Sequence, residues 1–150
     1  MRKTVIPVIA SALAAPFFLL GTAAPASAAT SCYASSCTGL VAADTTCVND
    51  AEVVKQANIY YGSTIIGNIE LKYSPSCRAT WARVISDLSD GSTAAVESNN
   101  DTYLYENCYG ADKAGTGCNT AMIDDANMTS SAYGGITDGY YFESTTTGSY

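Results

Sequence analysis

Fourteen carboxylates, six cysteines, eleven tyrosines and no histidine define the chemistry open to this chain. Without an imidazole, Ser-His-Asp and Cys-His mechanisms are excluded, together with most transition-metal sites. There is no Gly-x-Ser-x-Gly elbow, no Ser-x-x-Lys, no phosphate-cradling glycine loop and no dinucleotide fingerprint. What remains is a carboxylate pair of the kind that hydrolyses glycosides. Glu97 with Asp101, or Glu106 with Asp124, would serve, but no spacing singles out one pair, and no catalytic residue is assigned. The simpler use of so many acids is to keep an extracellular protein soluble. Asp87-Leu88-Ser89-Asp90-Gly91 and Asp124-Asp125 are the closest approaches to a calcium site, yet neither has the alternating ligands of a calcium loop. No metal and no cofactor is assigned.

The cysteines are Cys32, Cys37, Cys47, Cys77, Cys108 and Cys118. They contain no Cys-x-x-Cys pair, and there is no histidine to complete a mixed zinc site. An even count behind an export signal reads as three disulfides. Six cysteines allow fifteen pairings. The preferred set is Cys32–Cys37, Cys47–Cys77 and Cys108–Cys118, two local loops and one longer staple. The middle bridge would tie the N-terminal segment to a central hairpin.

Binding is the other chemistry on offer. All eleven tyrosines lie beyond residue 28, with Trp81 and Phe142. Tyr103 and Tyr105 share one strand face, and Tyr140-Tyr141 straddle another strand. Such rings stack on sugars or grip a partner, although tyrosine also simply suits half-buried strands. Lys72, Arg78 and Arg83 form a local basic patch, able to hold an anion or to pair across strands with Glu70. Trp81, Arg83, Tyr103 and Tyr105 are the candidate binding residues, with Trp81 serving first as core.

These side chains are positioned by a chain whose opening looks like an address. Met1-Arg2-Lys3 is a positive n-region, Thr4 to Gly21 is apolar and uncharged, and Ala26-Ser27-Ala28 offers a signal-peptidase site. Residues 1–28 are therefore expected to be a cleaved secretory signal, and 29–150 a single secreted domain, monomeric and free of the membrane. The whole chain has net charge −7; with Arg2 and Lys3 removed, five cations remain and the charge is −9. So acidic a surface repels phosphate backbones and anionic lipid, so nucleic acid is excluded as a partner.

Residues 29–46 are small and polar, an irregular segment tethered by cysteines. Asp50-Ala51-Glu52 is able to start a short helix, whereas Ile59-Tyr60-Tyr61 before Gly62-Ser63 reads as a strand end. From Gly67 to Ile85 the signal is clearest: Ile69, Leu71 and Tyr73 alternate with Asn68, Glu70 and Lys72. A three-residue loop, Ser74-Pro75-Ser76, sets Tyr73 opposite Cys77, Leu71 opposite Ala79 and Ile69 opposite Trp81, leaving Arg83 on the Trp81 face in need of a bulge or a carboxylate. Asp90-Gly91 and Asn99-Asn100-Asp101 are turns at all-β spacing, flanking strands at Ser92–Glu97 and Thr102–Tyr109. Gly110–Asn119 is expected to be a pinned loop. Thr120–Ile123 and Gly139–Thr145 are expected to be closing strands around a Tyr133-Gly134-Gly135 turn. The fold class is all-β, or mainly β with at most one short helix: a small disulfide-stapled antiparallel β-sandwich or barrel-like domain.

The runs Cys47-Val48-Asn49-Asp50-Ala51-Glu52 and Ile69-Glu70-Leu71-Lys72-Tyr73-Ser74-Pro75-Ser76-Cys77-Arg78-Ala79-Thr80-Trp81-Ala82-Arg83-Val84 resemble the YjfA-like family of secreted Gram-positive proteins, the group carrying domain of unknown function 2690. Met122-Ile123-Asp124-Asp125 and Tyr133-Gly134 are similar to its C-terminal half, so the likeness runs from about Cys37 to Tyr150. The chain departs before Cys47, where Ala43-Asp44-Thr45-Thr46 stands in place of a frequent Asp-Pro. The resemblance implies a small extracellular domain. In related actinobacterial proteins a similar domain follows a cytoplasmic helix-turn-helix module, which suits external sensing or binding. It implies no activity and transfers no catalytic residue.

The expectation is a non-enzymatic extracellular module that binds cell-wall glycan or another exported protein. Its rivals are a small carboxylate-dependent hydrolase and an inhibitor of a secreted enzyme presenting the Gly110–Gly117 loop.

Overall fold

Alternating and β-branched residues extend through most of the chain after Ala51, and in the computed structural model the described residues form nine strands. The structure describes residues 30–88, 91–100, 102–109 and 116–150, with the side chains of 107–109 and 116 left out. The segment read as an export signal lies outside these residues. Strands β1 (Glu52–Tyr61), β2 (Thr64–Ser74), β3 (Ala79–Ser86) and β6 (Thr116–Asn119) form one antiparallel sheet in that order, and the short β7 (Ile123–Asp124) also pairs with β3. The second sheet is β5 (Tyr103–Tyr109), β4 (Gly91–Ser98), β8 (Ser130–Thr137) and β9 (Phe142–Thr146), also antiparallel. The fold is all-β, a sandwich. Gly62, at φ 59°, opens the two-residue turn between β1 and β2, a conformation that only glycine adopts freely.

The core lies between the sheets. Ile59, Ile69, Leu71, Ala82 and Val84 from the first meet Ala94, Val96, Ala132 and Ile136 from the second, all fully buried. A second cluster lies on the opposite side of the first sheet. There the N-terminal segment, coiled into 3-10 turns at Ala34–Cys37, Ala42–Asp44 and Thr46–Asp50, packs Cys37, Ala42 and Cys47 over Ala79, Trp81 and Met122. Cys32–Cys37 and Cys47–Cys77 are both disulfides, as expected. The second staples this segment to the β2–β3 turn, and Asp50 reinforces it by accepting hydrogen bonds from Ser74 Oγ (2.6 Å) and the Ser76 amide (2.8 Å). Cys118 is also disulfide-bonded. The side chain of Cys108, its expected partner, lies outside the described residues.

The central hairpin differs from the expected register. Its loop is four residues, Pro75–Arg78, so Ser74 opposes Ala79, Leu71 opposes Ala82 and Trp81 opposes Lys72. Arg78 closes the turn at φ 53°, and its amide donates to the Ser74 carbonyl (2.8 Å). The slip of three residues reverses the faces, placing Trp81 outward instead of beside Ile69. Apolar pairing misleads here because β3 is covered on both sides, inwardly by the second sheet and outwardly by the N-terminal segment. The true register gives Arg83 its carboxylate, with Nη1 3.9 Å from Glu70 Oε2.

Other expectations also give way. Asp50-Ala51-Glu52 ends a 3-10 turn and enters β1 rather than starting a helix. Tyr133-Gly134-Gly135 is the middle of β8, not a turn, because the glycines admit neighbouring side chains. A Cβ on Gly134 would meet Ile69 Cβ at 2.7 Å. Thr116–Asn119 is paired with β3 instead of lying in a loop. Of Thr120–Ile123, only Ile123 joins a strand. The last strand begins at Phe142, and the expected pair Tyr140-Tyr141 lies in the turn before it.

Candidate functional site

In the second sheet, side-chain size varies across the outer face. The central strand β4 presents Gly91, Thr93, Ala95 and Glu97 outward, and its neighbour β8 presents Ser131, Tyr133, Gly135 and Thr137. Small residues thus form a low floor. Aromatic rings rise on both flanks: Tyr103 and Tyr105 from β5, opposite Glu97 and Ala95, and Tyr133 and Phe142 from β8 and β9. The result is a groove of about 480 Å³ between these four rings. A second hollow of about 250 Å³ continues it past Tyr103 and Tyr133 toward Glu97, Ser131 and Thr146. Tyr103, Tyr105 and Phe142 are about half exposed (54%, 49% and 54%), so their rings are available for contact.

The groove has little charge. Among the described residues that line it, Glu97 is the carboxylate and there is no lysine or arginine. Partial burial raises the Tyr103 hydroxyl above its ordinary range, and the nearby acidic groups Tyr105, Tyr133 and Glu97 add to the effect. Tyr103 therefore stays a neutral phenol, an apolar face with a hydrogen-bonding tip.

The candidate binding residues fall in two places. Tyr103 and Tyr105 sit together in the groove. Trp81 and Arg83 lie on the outer face of the other sheet, with Trp81 only 2% exposed beneath the N-terminal segment. Tyr133 and Phe142 were missed. Tyr133 was hidden by reading its Gly-Gly neighbours as a turn, and Phe142 by starting the last strand at Gly139. The run Gly91-Ser92-Thr93-Ala94-Ala95 was the available signal, a strand too small-sided to fill its outer face.

The carboxylates do not gather into an acid–base pair among the described residues lining either hollow. Glu106 is on β5 in the second sheet and Asp124 on β7 in the first. Asp101, the possible partner of Glu97, lies outside the described residues, as do Ser89 and Asp90 of the Asp87–Gly91 cluster and residues 110–115 of the loop read as an inhibitor element. Asp124 and Asp125 face different partners: Asp124 Oδ1 accepts from the Ala126 amide (2.8 Å), and Asp125 accepts from the buried Ser130 hydroxyl. Among the described residues, the group of side chains close enough to share a metal is Cys32, Cys37, Cys47 and Cys77, all held as disulfides.

The disulfides belong to an oxidising environment, and no helix among the described residues is long and apolar enough to cross a membrane. No curated protein and no solved structure matches the chain. A family described as protein of unknown function (DUF2690) matches residues 35–133, from the first 3-10 turn to the centre of β8. The match spans the Cys47–Cys77 disulfide, one cysteine (Cys37) of the Cys32–Cys37 bridge, and all of the groove except Thr137, Phe142 and Thr146. The chain thus belongs to the DUF2690 family, with β9 beyond the matched segment.

Proposed function

We propose that this is a secreted binding module whose aromatic groove takes an uncharged sugar chain of the cell wall. The observation that carries the reading is the groove itself: a floor of small residues between Tyr103 and Tyr105 on one side and Tyr133 and Phe142 on the other. Sugar rings present flat C–H faces that stack on aromatic side chains, while hydroxyls reach phenol tips and Ser and Thr side chains. The absence of cations among the described lining residues, within a net acidic chain, disfavours anionic polymers. Among the described lining residues a single carboxylate, Glu97, stands at one end of the groove, which supports binding over hydrolysis by a pair flanking the scissile bond. The amino-terminal address supports secretion.

The test is co-sedimentation of the oxidised mature protein with purified cell walls, with and without free glycan as competitor. Saturable retention, relieved by the glycan and weakened about tenfold by Tyr105→Ala or Tyr133→Ala, is expected. No retention at any ionic strength would remove the cell-wall reading and favour a soluble exported protein as partner.

A further inference from the structure

A second cleft, of about 250 Å³, opens on the opposite side of the molecule, where the N-terminal segment meets the first sheet. Val41 and Val48 wall it from the segment, and Lys72, Trp81, Arg83 and Asn119 line it from strands β2, β3 and β6. Its chemistry is the reverse of the groove's: two of the chain's seven cations line it. The Lys72 ammonium is 5.9 Å from the centroid of the Trp81 ring, close enough for a cation–π contact. Among the described residues the Arg83–Glu70 pair is the one ion pair, so Lys72 has no carboxylate partner there. That pair is itself loose. At 3.9 Å it is beyond hydrogen-bond range, and Glu70 Oε2 is buried without a hydrogen bond. Among the described residues, then, no hydrogen bond commits the guanidinium fork of Arg83.

We propose that this cleft is a ligand site for a free carboxylate carried on a short apolar residue, such as the C-terminus of a peptide ending in a small side chain. The ammonium and the guanidinium fork supply charge-assisted donors for the carboxylate, the guanidinium in two-pronged geometry. The exposed side chains of Val41 and Val48, each 48% accessible, offer the apolar contact. The cleft's small volume admits a terminal group rather than a polymer. Glu70 offsets one of the two cations, leaving a single local positive charge, which suits a monoanion better than a phosphate dianion.

Trp81 is the only tryptophan in the chain, so its emission reports this cleft alone. The experiment is a fluorescence titration of the oxidised mature protein with N-acetyl-Ala-Ala, beside its C-terminal amide. The expected result is a saturable change with the free acid, weakened by added salt and at least about tenfold weaker with the amide or in Lys72→Gln. Val48→Glu, at an exposed position that leaves the core intact, is expected to abolish it. Tyr105→Ala is expected to leave the titration unchanged, whatever it does to cell-wall retention. Equal responses to acid and amide, or no saturable response, would overturn the assignment. So would loss of the response in Tyr105→Ala, by placing the ligand in the groove.

Discussion

Gly135 lies directly beneath the ring of Phe142, so close that a Cβ on the glycine would fall 2.2 Å from the phenylalanine Cζ. The adjacent Gly134 faces the other way, where a Cβ would meet Ile69 Cβ at 2.7 Å inside the core. The same substitution at the two sites therefore has different consequences. Gly135→Ala displaces the free end of a half-exposed ring, so it is expected to weaken binding in the groove while changing stability little. Gly134→Ala pushes on a fully buried isoleucine that cannot move aside, and is expected to cost about 1–3 kcal/mol. Urea unfolding of both variants, beside cell-wall retention, separates the two effects.

The groove also depends on a contact far from its floor. Tyr61, at the end of β1, stacks on Tyr141 with ring centroids 3.9 Å apart and planes 15° from parallel. Tyr141 sits in the turn that delivers Phe142, and this turn is held by the Asp138 carboxylate accepting from the Tyr140 and Tyr141 amides (2.9 and 3.1 Å). A double-mutant cycle with Tyr61→Ala and Tyr141→Ala is expected to give a coupling of about 0.5–1.5 kcal/mol. Tyr61→Ala is also expected to weaken groove binding, though it touches no ligand. Additive effects of the two substitutions would show that the stack contributes nothing of its own.

The two described bridges differ in access. Cys47 and Cys77 are 0% and 2% exposed, whereas Cys32 is half-buried. Mild reduction followed by alkylation and mass spectrometry is expected to label Cys32 and Cys37 first. In the chain-entropy account the thirty-residue separation of Cys47 and Cys77 is worth about 3.5 kcal/mol and the five-residue separation of Cys32 and Cys37 about 2 kcal/mol. Replacing both cysteines of the longer bridge by serine should therefore lower the unfolding midpoint further than the same change in the shorter one.

Two aspartates give stability opposite slopes with pH. Hydrogen bonds, first that from the Ser74 hydroxyl, hold the Asp50 carboxyl below its ordinary 3.8. Its contribution is fully present above 3.8 and is lost as pH falls through the lowered folded value. Burial raises Asp125 above 3.8, against the opposing pull of the Ser130 hydroxyl and of Arg78. The folded state there holds its proton more firmly than the unfolded chain, so stability drops as pH rises from 3.8 through the raised value, then stays level. Asp50→Asn is expected to cost about 1 kcal/mol at neutral pH and almost nothing in strong acid, since the site is solvent-exposed and screened. Asp125→Asn should instead improve relative to the parent as pH rises. Thermal unfolding across the acid range distinguishes these slopes, and parallel curves for parent and variants would contradict both.

The all-β class and two of the disulfides were legible in the sequence because they rest on local facts. Period-two alternation, turn residues and the even cysteine count need no knowledge of what lies opposite. Ser92–Glu97 and Thr102–Tyr109 were placed nearly to the residue for that reason. Half of the groove was legible too, since Tyr103 and Tyr105 share a face by alternation alone. The register of the central hairpin was not, because β3 is buried on both sides and either parity of pairing looks apolar. The burial of Trp81 under the N-terminal segment, and the pairing of Glu70 with Arg83, follow from that register. Nor did the glycines of β8 declare themselves, since Gly-Gly is turn chemistry unless a neighbouring side chain occupies the space a Cβ would take. Sequence periodicity assigns each side chain to one of two faces. Only the packing of one sheet on the other decides which face is core, and only the paired strands decide which rings stand together around a floor of small residues.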